Sequence, residues 1–102
     1  MKYIKRPVMV EAVRFSHIGT GNLAVSGITV NEPFFDEKPE WLVRALWSGT
    51  ISIRENGDLA IRTLEGIMMV KPGDFIIRGV EGEIYACAPS IFIKTYEEAE
   101  IR

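Results

Sequence analysis

Short apolar runs alternate with turn-forming residues over the second half of the chain, from residue 50 onward. The turn signals are Asn56-Gly57, Glu65-Gly66, Pro72-Gly73 and Glu81-Gly82, and glycine after a polar residue or proline favours tight turns. The runs between these pairs are rich in β-branched residues, which favour strands. This half of the chain therefore predicts a meander of antiparallel hairpins.

The apolar residues around Asn56-Gly57 predict the register of the first hairpin. A two-residue loop would place the apolar residues of its two strands on opposite faces. A three-residue loop instead sets Ile53 opposite Leu59 and Ile51 opposite Ile61, so that all four share one face. We therefore predict the three-residue loop, with Gly57 at a positive φ as the bulge residue.

The hairpin around Glu81-Gly82 is predicted to have a two-residue loop, which pairs Ile77 with Ala86 on an apolar core face. The opposite face then carries four residues: Ile76, Arg78, Tyr85 and Cys87. A guanidinium, a rigid aromatic ring and apolar neighbours are enriched together at recognition sites. These four are the predicted binding residues. The alternative is that the helix covers this face and leaves Arg78 at the rim.

One helix is predicted over 39–47, with Pro39 at its start and Gly49 just past its end. Its apolar stripe consists of Trp41, Leu42, Ala45 and Leu46. Val43 and Trp47 extend the apolar arc to another side of the helix. We expect that side to meet either the long connection before the helix or another subunit.

The first part of the chain predicts a strand over 7–15 and an irregular connection over 17–35, where glycine, asparagine and proline are frequent. The predicted fold class is α+β, mainly β: a small curled antiparallel sheet or partly closed barrel of about six short strands with one helix. Residues 1–102 are predicted to form one domain, with the irregular connection at about 17–38. Short strands leave unpaired edges, so we expect a homodimer.

Charge and hydropathy narrow the classes of function. The net charge is −2, and no strong positive field would attract a phosphate backbone, so nucleic acid is not an expected partner. No run approaches the roughly 18 apolar residues of a membrane span, and the first residues lack the apolar stretch of a signal peptide. We therefore expect a cytoplasmic protein without a membrane partner.

Side chains that carry chemistry are few. Cys87 is the only cysteine and His17 the only histidine, and nothing in the sequence brings His17 to the thiol as a base, so Cys87 is predicted to be structural. One cysteine and one histidine do not make a zinc site without recruited carboxylates, so no metal and no cofactor is expected. No catalytic residue is assigned. A small enzyme with a site around Asp74, Glu83 and Cys87 remains the alternative.

Four segments, residues 5–15, 40–42, 63–66 and 72–92, together resemble a family of short bacteriophage and prophage proteins, mostly without an assigned function. The strongest piece is residues 72–96, PGDFIIRGVEGEIYACAPSIFIKTY. The resemblance implies a phage or prophage accessory protein in a bacterial host. We expect it to bind a host protein or a small polar ligand. A minor component of the virion or of its assembly is a further alternative.

Overall fold

The computed structural model describes residues 1–3, 7–23 and 28–97. These residues form seven strands and two helices. In chain order they are β1 (Glu11–Leu23), β2 (Ile28–Phe35), α1 (Glu40–Ser48), β3 (Ile51–Ile53), β4 (Leu59–Thr63), β5 (Gly66–Val70), β6 (Phe75–Arg78), β7 (Ile84–Cys87) and α2 (Pro89–Thr95). The predicted class, α+β and mainly β, is confirmed.

The strands divide into two antiparallel sheets and do not close into a barrel. The four-stranded sheet has the order β2-β1-β6-β7, and the three-stranded sheet has the order β3-β4-β5. Both sheets contribute to one hydrophobic core together with α1. The buried members of this core are Val13, Phe15, Leu42, Ala45, Ile51, Leu59, Ile61, Val70 and Ile76. The expected single sheet is therefore replaced by two sheets packed around a shared core.

Helix α1 follows the prediction closely. Gly49 ends it in the left-handed conformation at φ 83°, and its N–H donates to the carbonyl of Leu46. A residue with positive φ at this position is a common helix stop, and glycine adopts it without a steric penalty. Leu42 is fully buried, whereas Trp41 is only half-buried and donates its indole N–H to Glu11 Oε2 at 2.8 Å.

The β3–β4 hairpin has the predicted register. Ile51 lies opposite Ile61 and Ile53 lies opposite Leu59. Gly57 has φ 88°, as expected for the bulge residue of a three-residue loop. The apolar pattern was sufficient here because only one face of this hairpin meets the core.

The predicted irregular connection over 17–35 is instead a hairpin of β1 and β2, with residues 24–27 outside the described ranges. The register shifts between Phe15 and His17, so Ser16 is a bulge residue. Strand β1 also begins later than predicted, at Glu11. Its first residues pair with β6, and the rest of it pairs with β2.

This hairpin was not predicted because glycine and proline usually interrupt strands. The structure explains why Gly19 and Pro33 are accommodated here. A Cβ at Gly19 would overlap the ring of Phe34, which lies against it. Glycine inside a strand often marks such a close approach. Pro33 lies in β2, the edge strand of its sheet, where proline is tolerated because the outward side of the ladder is unpaired.

Helix α2 corrects a second expectation. The sequence predicts a tight turn or a single helical turn over 89–92 and a final strand over 93–96. The helical turn is present, but the helix continues to Thr95, so the strand is not formed. Pro89 occupies its first turn, where the missing N–H costs nothing. Phe92 stacks on Phe75 with ring centroids 3.8 Å apart. This tertiary contact outweighs the β-branched residues that favoured a strand.

Candidate functional site

The four predicted binding residues do not share a face, because the β6–β7 register differs from the predicted one. Gly79 N–H donates to the Glu83 carbonyl at 2.8 Å, which makes the loop three residues long rather than two. Arg78 therefore pairs with Ile84, and Ile77 pairs with Tyr85. The shift by one residue moves one strand's side chains to the other face relative to its partner.

Ile76 and Arg78 lie on the face that meets the shared core. Ile76 is fully buried in the core, so it is not available to a ligand. Arg78 is half-buried at the rim, with Nη1 3.8 Å from Glu11 Oε1. Glu11 also accepts the hydrogen bond from Trp41 Nε1. Arg78 thus forms a long surface ion pair with Glu11 at the edge of the core.

Tyr85 and Cys87 lie on the other face of the four-stranded sheet, which α2 covers. The hydroxyl oxygens of Tyr85 and Tyr96 are 3.2 Å apart, so the residue after α2 is held against β7. Burial, helped by the hydrogen bond with Tyr96, raises the pKa of Tyr85 to about 12. Tyr85 is therefore a neutral hydrogen-bonding group at physiological pH.

Cys87 has the environment of a structural thiol. Its side chain is half-buried, and its Sγ lies 3.6 Å from the carbonyl oxygen of Ala88. Burial raises the pKa of the Cys87 thiol, and the nearby charge of Asp74 raises it further. Both effects disfavour the thiolate, which is the form that acts as a nucleophile.

The carboxylates of the alternative enzyme site stabilise two separate turns. Asp74 Oδ2 accepts the backbone N–H of Lys71 at 2.9 Å, and Glu83 Oε2 accepts that of Glu81 at 3.0 Å. Asp74 precedes β6 and Glu83 precedes β7, so they lie at opposite ends of the antiparallel hairpin. Among the described residues, no group of three or more His, Cys, Asp or Glu side chains is placed to hold a metal ion.

A groove that the sequence did not indicate lies beside the bulge in β1. It is open, has a volume of about 510 Å³, and is lined by Arg14, Phe15, Ser16, Phe34, Phe35, Asp36 and Gly73. Bulges often re-aim side chains next to functional sites. The sequence did not indicate this groove, because it forms only where β2 folds back on β1 and that hairpin was not predicted.

Arg14 is the oriented charged group of this groove. Its Nε donates to the carbonyl of Gly73 at 3.0 Å, and its guanidinium carbon lies 5.4 Å from the ring centroid of Phe75. Its backbone N–H donates to Asp36 Oδ1 at 2.8 Å. Within the described ranges, no carboxylate lies within ion-pair distance of the guanidinium. Its outer nitrogens therefore face the solvent from a fixed position.

The second surface feature is the outer side of α1. Trp47 is 87% exposed, and Val43, one turn earlier, is also exposed. The long connection before the helix was the alternative contact for Trp47, and the described part of that connection leaves the indole exposed. Two other side chains hold the helix in place, since Leu42 and Ala45 are buried in the core. The indole is thus displayed on a rigid support.

Comparison with protein-family models, with curated proteins and with solved structures found no match to this chain. No helix within the described ranges is long and apolar enough to cross a membrane.

Proposed function

We propose that the chain is a phage- or prophage-encoded accessory protein of the bacterial cytoplasm that acts by binding a host protein. The phage origin rests on the sequence resemblance. The single observation that supports binding is the exposure of Trp47 beside Val43 on an anchored helix. Tryptophan is among the residues most enriched at binding hot spots.

The position of Trp47 suits protein recognition better than stability. A tryptophan that is 87% exposed contributes little to the core, because the apolar area it removes from water is small. Since α1 is fixed by Leu42 and Ala45, little conformational entropy is lost when a partner covers the indole. Such preorganisation increases affinity.

The test is affinity capture from a bacterial lysate, followed by titration of the captured protein with three forms of this chain. They are the wild type, Trp47→Ser, and the control Leu64→Ser, which changes another fully exposed apolar residue in the β4–β5 turn. We expect Trp47→Ser to weaken binding by roughly 30-fold, the effect of losing a hot spot of ~2 kcal/mol. Leu64→Ser should bind as the wild type does. Equal loss in both variants, or in neither, would contradict the proposal.

A small polar ligand is the second candidate function, and the fixed guanidinium of Arg14 favours it. Arginine held in this way binds carboxylate or phosphate groups. Mass spectrometry of small molecules released from purified wild type and from Arg14→Gln tests it. An anionic compound that is present with the wild type and absent with the variant supports this function. The same compounds in both samples exclude the groove as its binding site.

A further inference from the structure

Strand β5 is an exposed apolar edge. It pairs with β4 on one side, and within the described part of the chain no strand pairs with its other side. Three consecutive residues of β5 are exposed: Ile67 at 61%, Met68 at 37% and Met69 at 43%. Edge strands are usually protected by a charge, a proline or a bulge within the strand. The sequence of β5, Gly-Ile-Met-Met-Val, contains no charge and no proline.

The hydrogen bonds of the neighbouring strands show which backbone groups of β5 point outward. Arg62 N–H donates to the Thr50 carbonyl at 2.8 Å, so the backbone groups of Arg62 point toward β3. In an antiparallel ladder these groups alternate in direction along the strand. Those of Ile61 therefore point toward β5, where its partner is Met68. It follows that the N–H and carbonyl groups of Ile67 and Met69 point away from β4.

We propose that β5 pairs antiparallel with β5 of a second copy, around a two-fold axis at Met68. Ile67 of each copy then lies opposite Met69 of the other, and Met68 lies opposite its own equivalent. The outward groups of Ile67 and Met69 form four hydrogen bonds across the axis, two from each pair. The three-stranded sheets of the two copies become one sheet of six strands.

Charge complementarity selects this register. With the axis at Met68, Glu65, in the turn just before β5, comes alongside Lys71, just after β5 of the other copy, and both residues are exposed. An axis at Ile67 would preserve the backbone hydrogen bonds but place Glu65 opposite Met69. An axis at Met69 would likewise preserve them but place Lys71 opposite Ile67. Opposite charges across a strand pair stabilise it, and like charges destabilise it. The segment 65–71 is thus complementary to itself in the antiparallel direction.

This interface is independent of the proposed host-binding function. It uses the β5 edge and not Trp47, so Trp47→Ser should leave self-association unchanged. A failure of either proposal is therefore separable from a failure of the other.

Sedimentation equilibrium over a concentration series tests the pairing with a charge reversal and its rescue. The wild type should form dimers. Glu65→Lys places a lysine opposite Lys71 twice per dimer, and we expect the dimer dissociation constant to rise about tenfold or more. The double variant Glu65→Lys/Lys71→Glu should restore it. A wild type that stays monomeric up to about 1 mM, or a dimer that Glu65→Lys does not weaken, would overturn the proposal.

Disulfide formation tests the position of the axis directly. In a Cys87→Ser background, Met68→Cys places two thiols opposite each other at a non-hydrogen-bonded pair, where Cα atoms lie about 4.5 Å apart. Oxidation should crosslink this variant much faster than the control Leu64→Cys, which is more exposed but lies away from the axis. Equal crosslinking of the two variants would show that collision, not pairing, brings the chains together.

Discussion

The two sheets meet the same core but differ in what covers their other faces. On the four-stranded sheet, α2 lies over β6 and β7 on the outer face, where Phe92 stacks on Phe75, and Ile77 on that face is fully buried although it lies outside the main core. On the three-stranded sheet, Ile67 is 61% exposed on the outer face. Part of the outer face of the four-stranded sheet thus packs against α2 of the same chain, whereas apolar side chains on the outer face of the three-stranded sheet are exposed to water.

This difference separates residues that stabilise the fold from residues that are available for binding another chain. Residues under α2 remove apolar area from water within one chain, so they contribute to folding. Apolar residues at the β5 edge and on the outer side of α1 gain burial only when another chain arrives. We therefore expect substitutions in the first group to lower the free energy of unfolding, and substitutions in the second to change binding with little effect on folding.

The largest expected contrast is between Ile77→Ala and Ile67→Ala. Ile77→Ala leaves a cavity in a fully buried site and should cost about 2–5 kcal/mol of unfolding free energy. Ile67→Ala, on the open face, should cost within about 0.5 kcal/mol at protein concentrations too low for dimers. Urea titrations measure both values. If Ile77→Ala does not fold, Ile77→Val should still cost about 0.5–1.5 kcal/mol. Similar costs at the two positions would show that α2 does not seal its face.

An intermediate effect is expected at the two hairpin loops, which have the same geometry in both sheets. Gly57 has φ 88° and Gly82 has φ 86°, so alanine at either position should cost about 1–2 kcal/mol. The cost is conformational, because a Cβ at Gly57 meets nothing within 4 Å, and one at Gly82 meets only Arg78 Nη2 at 3.9 Å. Thermal or urea unfolding measures the cost. A stabilising Gly82→Ala would contradict the three-residue loop, since alanine stabilises where its φ is compatible.

The smallest effect concerns the contact that holds α2 over its sheet. The pKa of Tyr85 is about 12 in the folded protein and about 10 in an unfolded chain. Because the folded pKa is the higher one, this contribution to stability is fully present below pH ~10 and is lost as the pH rises toward ~12. Tyr85→Phe should remove this part of the alkaline destabilisation. Urea titrations at several pH values measure it, and identical pH dependence in wild type and Tyr85→Phe would contradict the raised pKa.

The same comparison explains what the sequence could predict. In the β3–β4 hairpin the apolar pairs Ile51–Ile61 and Ile53–Leu59 share the core face, whereas the other face carries the small pair Ser52–Ala60, so the apolar pattern selected the correct register. In β6 the adjacent residues Ile76 and Ile77 are both fully buried, and their side chains lie on opposite faces of the sheet. Because apolar residues lie on both faces of β6, they fit either register equally well and did not identify the correct one.

The prediction of candidate site residues failed for a related reason, because it depended on which strands pair and in which register. The grouping of Arg78 with Tyr85 depended on the incorrect register, and the groove at Arg14 depended on a hairpin hidden by Gly19 and Pro33. Local patterns do not report which distant strand fills the space beside a residue. By contrast, the exposed side of α1 follows from helical spacing alone, and the expectation that Trp47 falls outside the core stripe agrees with its exposure.

Amide hydrogen exchange along β5 tests most directly whether the open sheet is completed by a second copy. The N–H groups of Ile67 and Met69 point outward, whereas that of Met68 points toward β4 and serves as the internal control. We expect exchange at Ile67 and Met69 to slow as the protein concentration is raised and to become fast on dilution, while Met68 stays slow throughout. Fast exchange at Ile67 and Met69 at every concentration, or slow exchange that dilution does not change, would contradict the pairing of β5 between two copies.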